Sequence, residues 1–130
     1  PAYTGWGGAQ ADATPYRQML RINGTAYETG IGVLSNSRLE VKVDGQFRRF
    51  VAEVGVDDST FDADDDVTFS VYGDGKLLTT SKAMRFGQPA QALTADVTGV
   101  RIVELVARGK SGKNKTPTVV TWGNAALLNK

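Results

Sequence analysis

Residues 30–58 read GIGVLSNSRLEVKVDGQFRRFVAEVGVDD, and their patterning decides the fold class. Leu39, Val41 and Val43 alternate with Arg38, Glu40 and Lys42, the period-two pattern of a strand with one face on a core and the other in water. Asp44-Gly45 closes that strand with a strong turn signal, because both residue types tolerate the left-handed backbone of a tight turn. Phe50, Ala52, Val54 and Val56 then share one parity, with Arg49, Val51, Glu53 and Gly55 on the other. The two runs are expected to pair as an antiparallel hairpin, with the link through Gln46 and Phe47 leaving its register open.

Further along, Val67, Phe69 and Val71 repeat the alternation and run into Gly73-Asp74-Gly75, after which Lys76-Leu77-Leu78 returns as a partner strand. This is the clearest hairpin in the sequence. Leu93, Ala95 and Val97 form a shorter strand that ends before Gly99, and the nearly continuous apolar run 100–107 reads as a central strand covered on both faces. Glu104 is the odd member of that run, expected at a sheet margin or paired with Arg101 or Arg108. Residues 118–122 supply a last strand that residues 125–128 extend or follow with a short helical turn. Glycine and β-branched residues interrupt every longer helical window. Short strands with turns between them, over 130 residues, describe one all-β domain spanning 1–130, a β-sandwich.

Composition narrows the chemistry. The chain has no cysteine and no histidine, which removes disulfides, thiolate metal sites, cysteine nucleophiles, imidazole bases and the commonest zinc ligand. Catalysis by carboxylates alone remains as the enzyme class, and sequence spacing does not bring two such groups face to face. A net charge of +1 gives no global attraction to nucleic acid or anionic membrane. No apolar run approaches the ~18 residues of a membrane span. The start Pro1-Ala2-Tyr3 reads as a processed end or an excised domain.

Two segments differ from the strands. Residues 56–66 hold Asp57, Asp58, Asp62, Asp64, Asp65 and Asp66 without a basic residue. Crowded carboxylates repel unless a cation or solvent offsets them, and calcium accepts six to eight hard oxygen ligands. The order does not match an EF-hand loop, so the choice between calcium and a solvated acidic loop stays open. Residues 108–115, RGKSGKNK, are the basic counterpart. They contain no aromatic on which bases would stack, so they read as a solvated loop rather than a nucleic-acid site.

Sugar recognition needs an apolar contact for a ring face and amides, carboxylates or guanidinium groups for its hydroxyls. Trp6, set among Thr4-Gly5 and Gly7-Gly8, suits the first role, whereas Trp122 follows β-branched positions and reads as core. Asn36 and Arg38 in Ser35-Asn36-Ser37-Arg38, together with Asn124, suit the second.

The succession INGTAYETGIG from Ile22, SNSRL from Ser35, then the segments 39–45, 47–58 and 67–75 resembles the consecutive signatures of the NPCBM/NEW2 domain, also called carbohydrate-binding module family 51. The resemblance extends from Trp6 to Leu128. It implies a jelly-roll-like, galactose-binding-domain-like β-sandwich, non-catalytic and extracytoplasmic (secreted, periplasmic or at the cell surface). It further implies a loop-built pocket for galactose-type glycans or a cell-envelope polysaccharide, and a structural calcium for which Asp57 and Asp58 are the expected ligands. Trp6, Asn36, Arg38 and Asn124 are the expected carbohydrate contacts. Where the family usually carries a histidine this chain has Val33-Leu34, and where it often has polar residues before the tryptophan this chain has Val119-Val120-Thr121. The alternative is a sandwich that has lost sugar binding and serves in an envelope protein complex.

Overall fold

The computed structural model describes residues 10–11, 19–59, 66–110 and 118–129. Trp6, Asp62, Asp64, Asp65 and most of the basic segment lie outside them. Every regular element among the described residues is a strand: β1 (Gln10–Ala11), β2 (Leu20–Ile22), β3 (Thr25–Tyr27), β4 (Gly30–Leu34), β5 (Ser37–Lys42), β6 (Arg49–Val56), β7 (Val67–Gly73), β8 (Lys76–Thr80), β9 (Gln91–Asp96), β10 (Ile102–Gly109) and β11 (Val119–Leu128). They build a five-stranded sheet ordered β1-β4-β11-β6-β9, a four-stranded sheet ordered β5-β10-β7-β8, and the separate pair β2-β3. All pairings are antiparallel. The fold is a jelly-roll-like β-sandwich.

The period-two pattern assigns the inner faces. Ile31, Val33, Phe50, Ala52, Val54 and Trp122 from the larger sheet meet Leu39, Val41, Phe69, Val71, Val103 and Leu105 from the smaller one in a single apolar cluster. Trp122 is the centre of it. Its ring stands edge-on to Phe69 at 5.2 Å between centroids and to Phe50 at 6.1 Å, the geometry favoured by aromatic quadrupoles. Its expected place in the core is what the structure shows.

The β7–β8 hairpin forms as expected, with Gly73 opposite Lys76. Its turn residues Asp74 and Gly75 both have positive φ, 48° and 86°, as a two-residue turn matched to strand twist requires. The expected hairpin between β5 and β6 does not form. β5 pairs with β10, and β6 pairs with β11 and β9 in the opposite sheet. The segment after Asp44-Gly45 carries the chain across the sandwich, and both strands turn their apolar parity inward from opposite sides. Alternation specifies which face is buried but not which strand is the neighbour.

β10 is central, between β5 and β7, but its outer face is only partly covered, since Ile102 is 41% exposed. Glu104 sits in this central strand rather than at a margin. Its Oε2 accepts from Arg38 Nη1 at 2.7 Å, so its partner is neither Arg101 nor Arg108.

The pair β2–β3 is a hairpin about Asn23-Gly24 laid on the outer face of the five-stranded sheet. Leu20, Ile22 and Tyr27 form a second small apolar cluster there. The seat is made by glycine: a Cβ on Gly55 would lie 2.7 Å from Ile22 Cγ2, and one on Gly123 would lie 2.7 Å from the Tyr27 ring. Contacts this short are not accommodated without moving the hairpin.

Candidate functional site

One end of the sandwich gathers the β4–β5 turn, the end of β6 and the start of β11. Asn36 adopts a positive φ of 63° in that turn, a conformation Asn tolerates better than most residues. Its Oδ1 accepts from Gly109 N at 3.0 Å. Ser35 N donates to Thr118 O at 2.7 Å, and Thr118 N donates to Ser35 Oγ at 3.0 Å. The turn therefore ties together the last residue of β10 and the residue before β11, the two ends of the basic segment.

Beside it, Asp57 and Asp58 leave β6. Asp57 is 1% exposed; its Oδ1 accepts from Arg21 N at 2.9 Å and Thr121 Oγ1 at 3.0 Å, and its Oδ2 from Ser59 N at 2.9 Å. Asp58 Oδ1 and Oδ2 accept from Asn23 N and Gly24 N, each at 2.8 Å. These carboxylates staple the β2–β3 hairpin to the sheet. These hydrogen bonds compensate the burial of Asp57. Each of the four carboxylate oxygens thus already accepts from a protein donor. Among the described residues no group of three or more acidic, His or Cys side chains converges.

The staples leave a cleft. Met19, Arg21, Asp57, Asp58 and Ser59 line a concavity of about 370 Å³. Met19 is 54% exposed and Arg21 is exposed. The backbone of Arg21 is held at both ends, its N by Asp57 and its O by Asp58 N at 2.8 Å. Its side chain is not needed for that anchoring, and among the described residues its guanidinium forms no ion pair.

The expected sugar contacts are not brought together. Arg38 lies on the outer face of the smaller sheet, paired with Glu104 and 5.7 Å from the centroid of the Tyr72 ring. Asn124 lies within β11, just past the end of its ladder with β4. The ladder runs from Leu34 opposite Val119 to Gly30 opposite Gly123, four steps or roughly 13 Å at ~3.3 Å per residue. Asn36 stands beyond the first pair and Asn124 beyond the second, so one monosaccharide cannot touch both.

Asn124 occupies a bulge in β11, with φ of 51° and a register shift between Gly123 and Ala126. The bulge aims its side chain sideways, where Nδ2 donates to Glu53 Oε2 at 3.3 Å and Oδ1 accepts from Thr29 Oγ1 at 3.4 Å. Tyr27 OH donates to Glu53 Oε1 at 3.2 Å. Burial, then the Glu53 charge and hydrogen bond, push the Tyr27 hydroxyl up to about 12. Tyrosine ionises near 10 when unfolded, so this contribution is intact below pH 10 and is lost as pH rises through 12. It is expected to reach about 2 kcal/mol. Chemical denaturation at pH 9 and pH 12 checks it: Tyr27→Phe should reduce the loss of stability across that interval.

The two segments that depart from the family pattern are neighbours. Leu34 stands opposite Val119 and Val33 opposite Val120. The apolar replacements therefore form two cross-strand pairs on opposite faces of the sheet, Val33 and Val120 within the main core and Leu34 and Val119 on the outer face, at the same end as the Arg21 cleft, where Asp57 N donates to Val119 O at 2.9 Å.

The model of the NPCBM/NEW2 domain matches residues 1–128. The chain belongs to this family. As an NPCBM/NEW2 domain it is 34% identical over 120 residues to a protein of Renibacterium salmoninarum named "Putative endo-alpha-N-acetylgalactosaminidase", a match covering 92% of this chain and 8% of that protein. Among solved structures, CBM51-2 of Clostridium perfringens ZmpB, crystallised with its INT domains and in complex with GlcNAc, superposes with a TM-score of 0.84 and 26% identity, over 99% of this chain and 29% of that one. The CBM51 of Clostridium perfringens GH95, in complex with methyl-galactose, shares the fold at a TM-score of 0.78 and 24% identity, over 98% of this chain and 92% of that one. This NPCBM/NEW2 domain thus spans a small part of the curated relative it matches. The domain is a non-catalytic carbohydrate-binding module.

Proposed function

We propose that the module binds a terminal hexose of galactose or N-acetylglucosamine type at the cleft of Met19, Arg21, Asp58 and Ser59, from an extracytoplasmic position and as part of a longer glycan-directed protein. The observation that carries the site is Arg21, an exposed residue lining the cleft whose backbone is locked by Asp57 and Asp58. A donor on a rigid support loses little freedom on binding. The remaining lone pairs of the half-exposed Asp58 carboxylate accept from ring hydroxyls, Ser59 Oγ offers both a donor and an acceptor, and Met19 provides the apolar contact. About 370 Å³ is near the lower end of ligand pockets, the size of one sugar residue rather than an extended chain. No bond is made or broken.

Relatives solved with GlcNAc and with methyl-galactose support this ligand class. The neighbouring Leu34–Val119 patch supports a ligand read mainly by the cleft rather than by the ladder end itself. Isothermal titration with methyl-galactoside and GlcNAc is the test. Arg21→Ala should weaken binding 10- to 100-fold, the range for a hydrogen bond to a charged donor, with an unchanged melting temperature. Unaltered affinity would refute the site. A folded chain that binds neither sugar would favour the reading as an envelope protein-interaction domain.

A further inference from the structure

At the other end of β6 a second concavity of about 290 Å³ is lined by Arg48, Arg49, Thr94, Asp96 and Thr98. Seven residue steps from Arg49 to Val56, roughly 23 Å at ~3.3 Å each, separate it from the Arg21 cleft. All five lining residues are exposed. Their backbone is nevertheless rigidly placed. Arg48 N donates to Leu128 O at 2.8 Å and Arg48 O accepts from Val97 N at 2.9 Å. Arg49, Thr94 and Asp96 belong to the paired strands β6 and β9, with Arg49 directly opposite Asp96. Thr98 is fixed by its N–H on Asp96 Oδ1 at 3.0 Å.

The charges in this cleft are unequally satisfied. Asp96 is engaged by the Thr98 backbone and side chain, which hold its carboxyl below the usual range, with a smaller contribution from Arg49. Neither Arg48 nor Arg49 forms an ion pair among the described residues. Two arginines on firmly held backbone therefore line a space of monosaccharide size together with Thr94 and Thr98.

We propose that this cleft is a second carbohydrate site, specific for a sugar residue bearing a carboxylate. A planar guanidinium fork matches a carboxylate with two parallel hydrogen bonds, and the threonine hydroxyls and Asp96 match ring hydroxyls. Among the described residues no aromatic lines the cleft, so it offers no stacking platform for a nucleobase there. That the ligand is a saccharide rests on the carbohydrate-binding reading above; that it is acidic rests on this cleft. With sites at both ends of β6, the domain reads a neutral and an acidic residue of a branched or clustered glycan, and two linked contacts raise avidity without new interactions.

Titration of the ¹⁵N-labelled 130-residue chain tests the assignment. The probes are methyl-glucuronide, sialyllactose, lactose, sulfated galactose and sodium acetate. A carboxylated sugar should shift the amides of Thr94, Asp96 and Thr98 and bind at least 10-fold more tightly than acetate or lactose. The R48A/R49A double variant should lose at least 10-fold of that affinity, and R48K/R49K, which keeps charge but not the fork, should lose part of it. Carboxylated sugars no tighter than acetate, tighter binding of sulfated galactose, or affinity that survives R48A/R49A would each overturn it. Neutral sugars shifting Arg21, Asp58 and Ser59 with no response at Thr98 would sink this site and leave the first intact; the reverse pattern would sink only the first.

Discussion

Replacing Asp57 by alanine is expected to lower stability by about 3–4 kcal/mol. The carboxylate is buried and accepts from Arg21 N, Thr121 Oγ1 and Ser59 N. Its removal leaves Arg21 N and Thr121 Oγ1 without their acceptor, and each unsatisfied buried group costs about 1–3 kcal/mol. For a domain of this size the melting temperature should fall by roughly 10–15 °C. Asp57→Asn, which keeps an acceptor toward Arg21 but sets an amide against Ser59 N, should fall less. The same variant separates two roles for this residue. If Asp57 acts by accepting protein hydrogen bonds, Asp57→Ala loses the same stability in calcium as in chelator. A loss present in calcium and absent in chelator would make it a metal ligand.

This residue also shows what the sequence conveys and what it hides. Asp57 and Asp58 stand out among six aspartates in an acidic run, and such a run suggests a cation because the partners that neutralise it are invisible in one dimension. Those partners are backbone amides of residues 21, 23 and 24, distant by more than thirty positions. Side-chain-to-backbone bonds of this range leave no compositional trace. The core is different: Trp122, Phe50 and Phe69 are legible because burial follows parity. Strand partnership is not, which is why β5 and β6 look like a hairpin while lying in opposite sheets.

The β2–β3 hairpin was within reach. Asn23-Gly24 between Leu20-Arg21-Ile22 and Thr25-Ala26-Tyr27 is a two-residue turn signal between alternating runs, but strands of three residues carry too short a period to stand out. Arg21 is on that hairpin, so the Arg21 cleft is no more visible in the sequence than the hairpin itself. Residue chemistry and family position point to Asn36, Arg38 and Asn124, and each has a structural partner: Gly109 N, Glu104 and Glu53 respectively. Polar type alone does not distinguish a side chain that holds the protein from one that meets a ligand.

Gly55→Val should produce the second large effect, and its character is different from that of Asp57→Ala. Gly55 does not line the sugar cleft, and valine is a favourable residue for a strand. The obstacle is the Ile22 side chain, whose Cγ2 would lie 2.7 Å from the new Cβ. The sheet resists yielding, because Gly55 pairs with Thr121 between the Val56–Val120 and Val54–Trp122 pairs of the β6–β11 ladder, so the hairpin must lift. Lifting it exposes part of Leu20, Ile22 and Tyr27, each worth about 1.5–3 kcal/mol when fully buried, and strains the bonds from Asp57 and Asp58. A loss of about 3 kcal/mol is expected. Because the main core lies on the opposite face of β6, Trp122 should keep its buried fluorescence while amide exchange at Arg21, Ile22 and Gly24 accelerates. Sugar affinity at the Arg21 cleft should fall at least 10-fold, although no residue of that cleft has been changed. Retained affinity with accelerated exchange would show that the hairpin carries no ligand contact, and retained protection would show that Ile22 repacks around the new side chain.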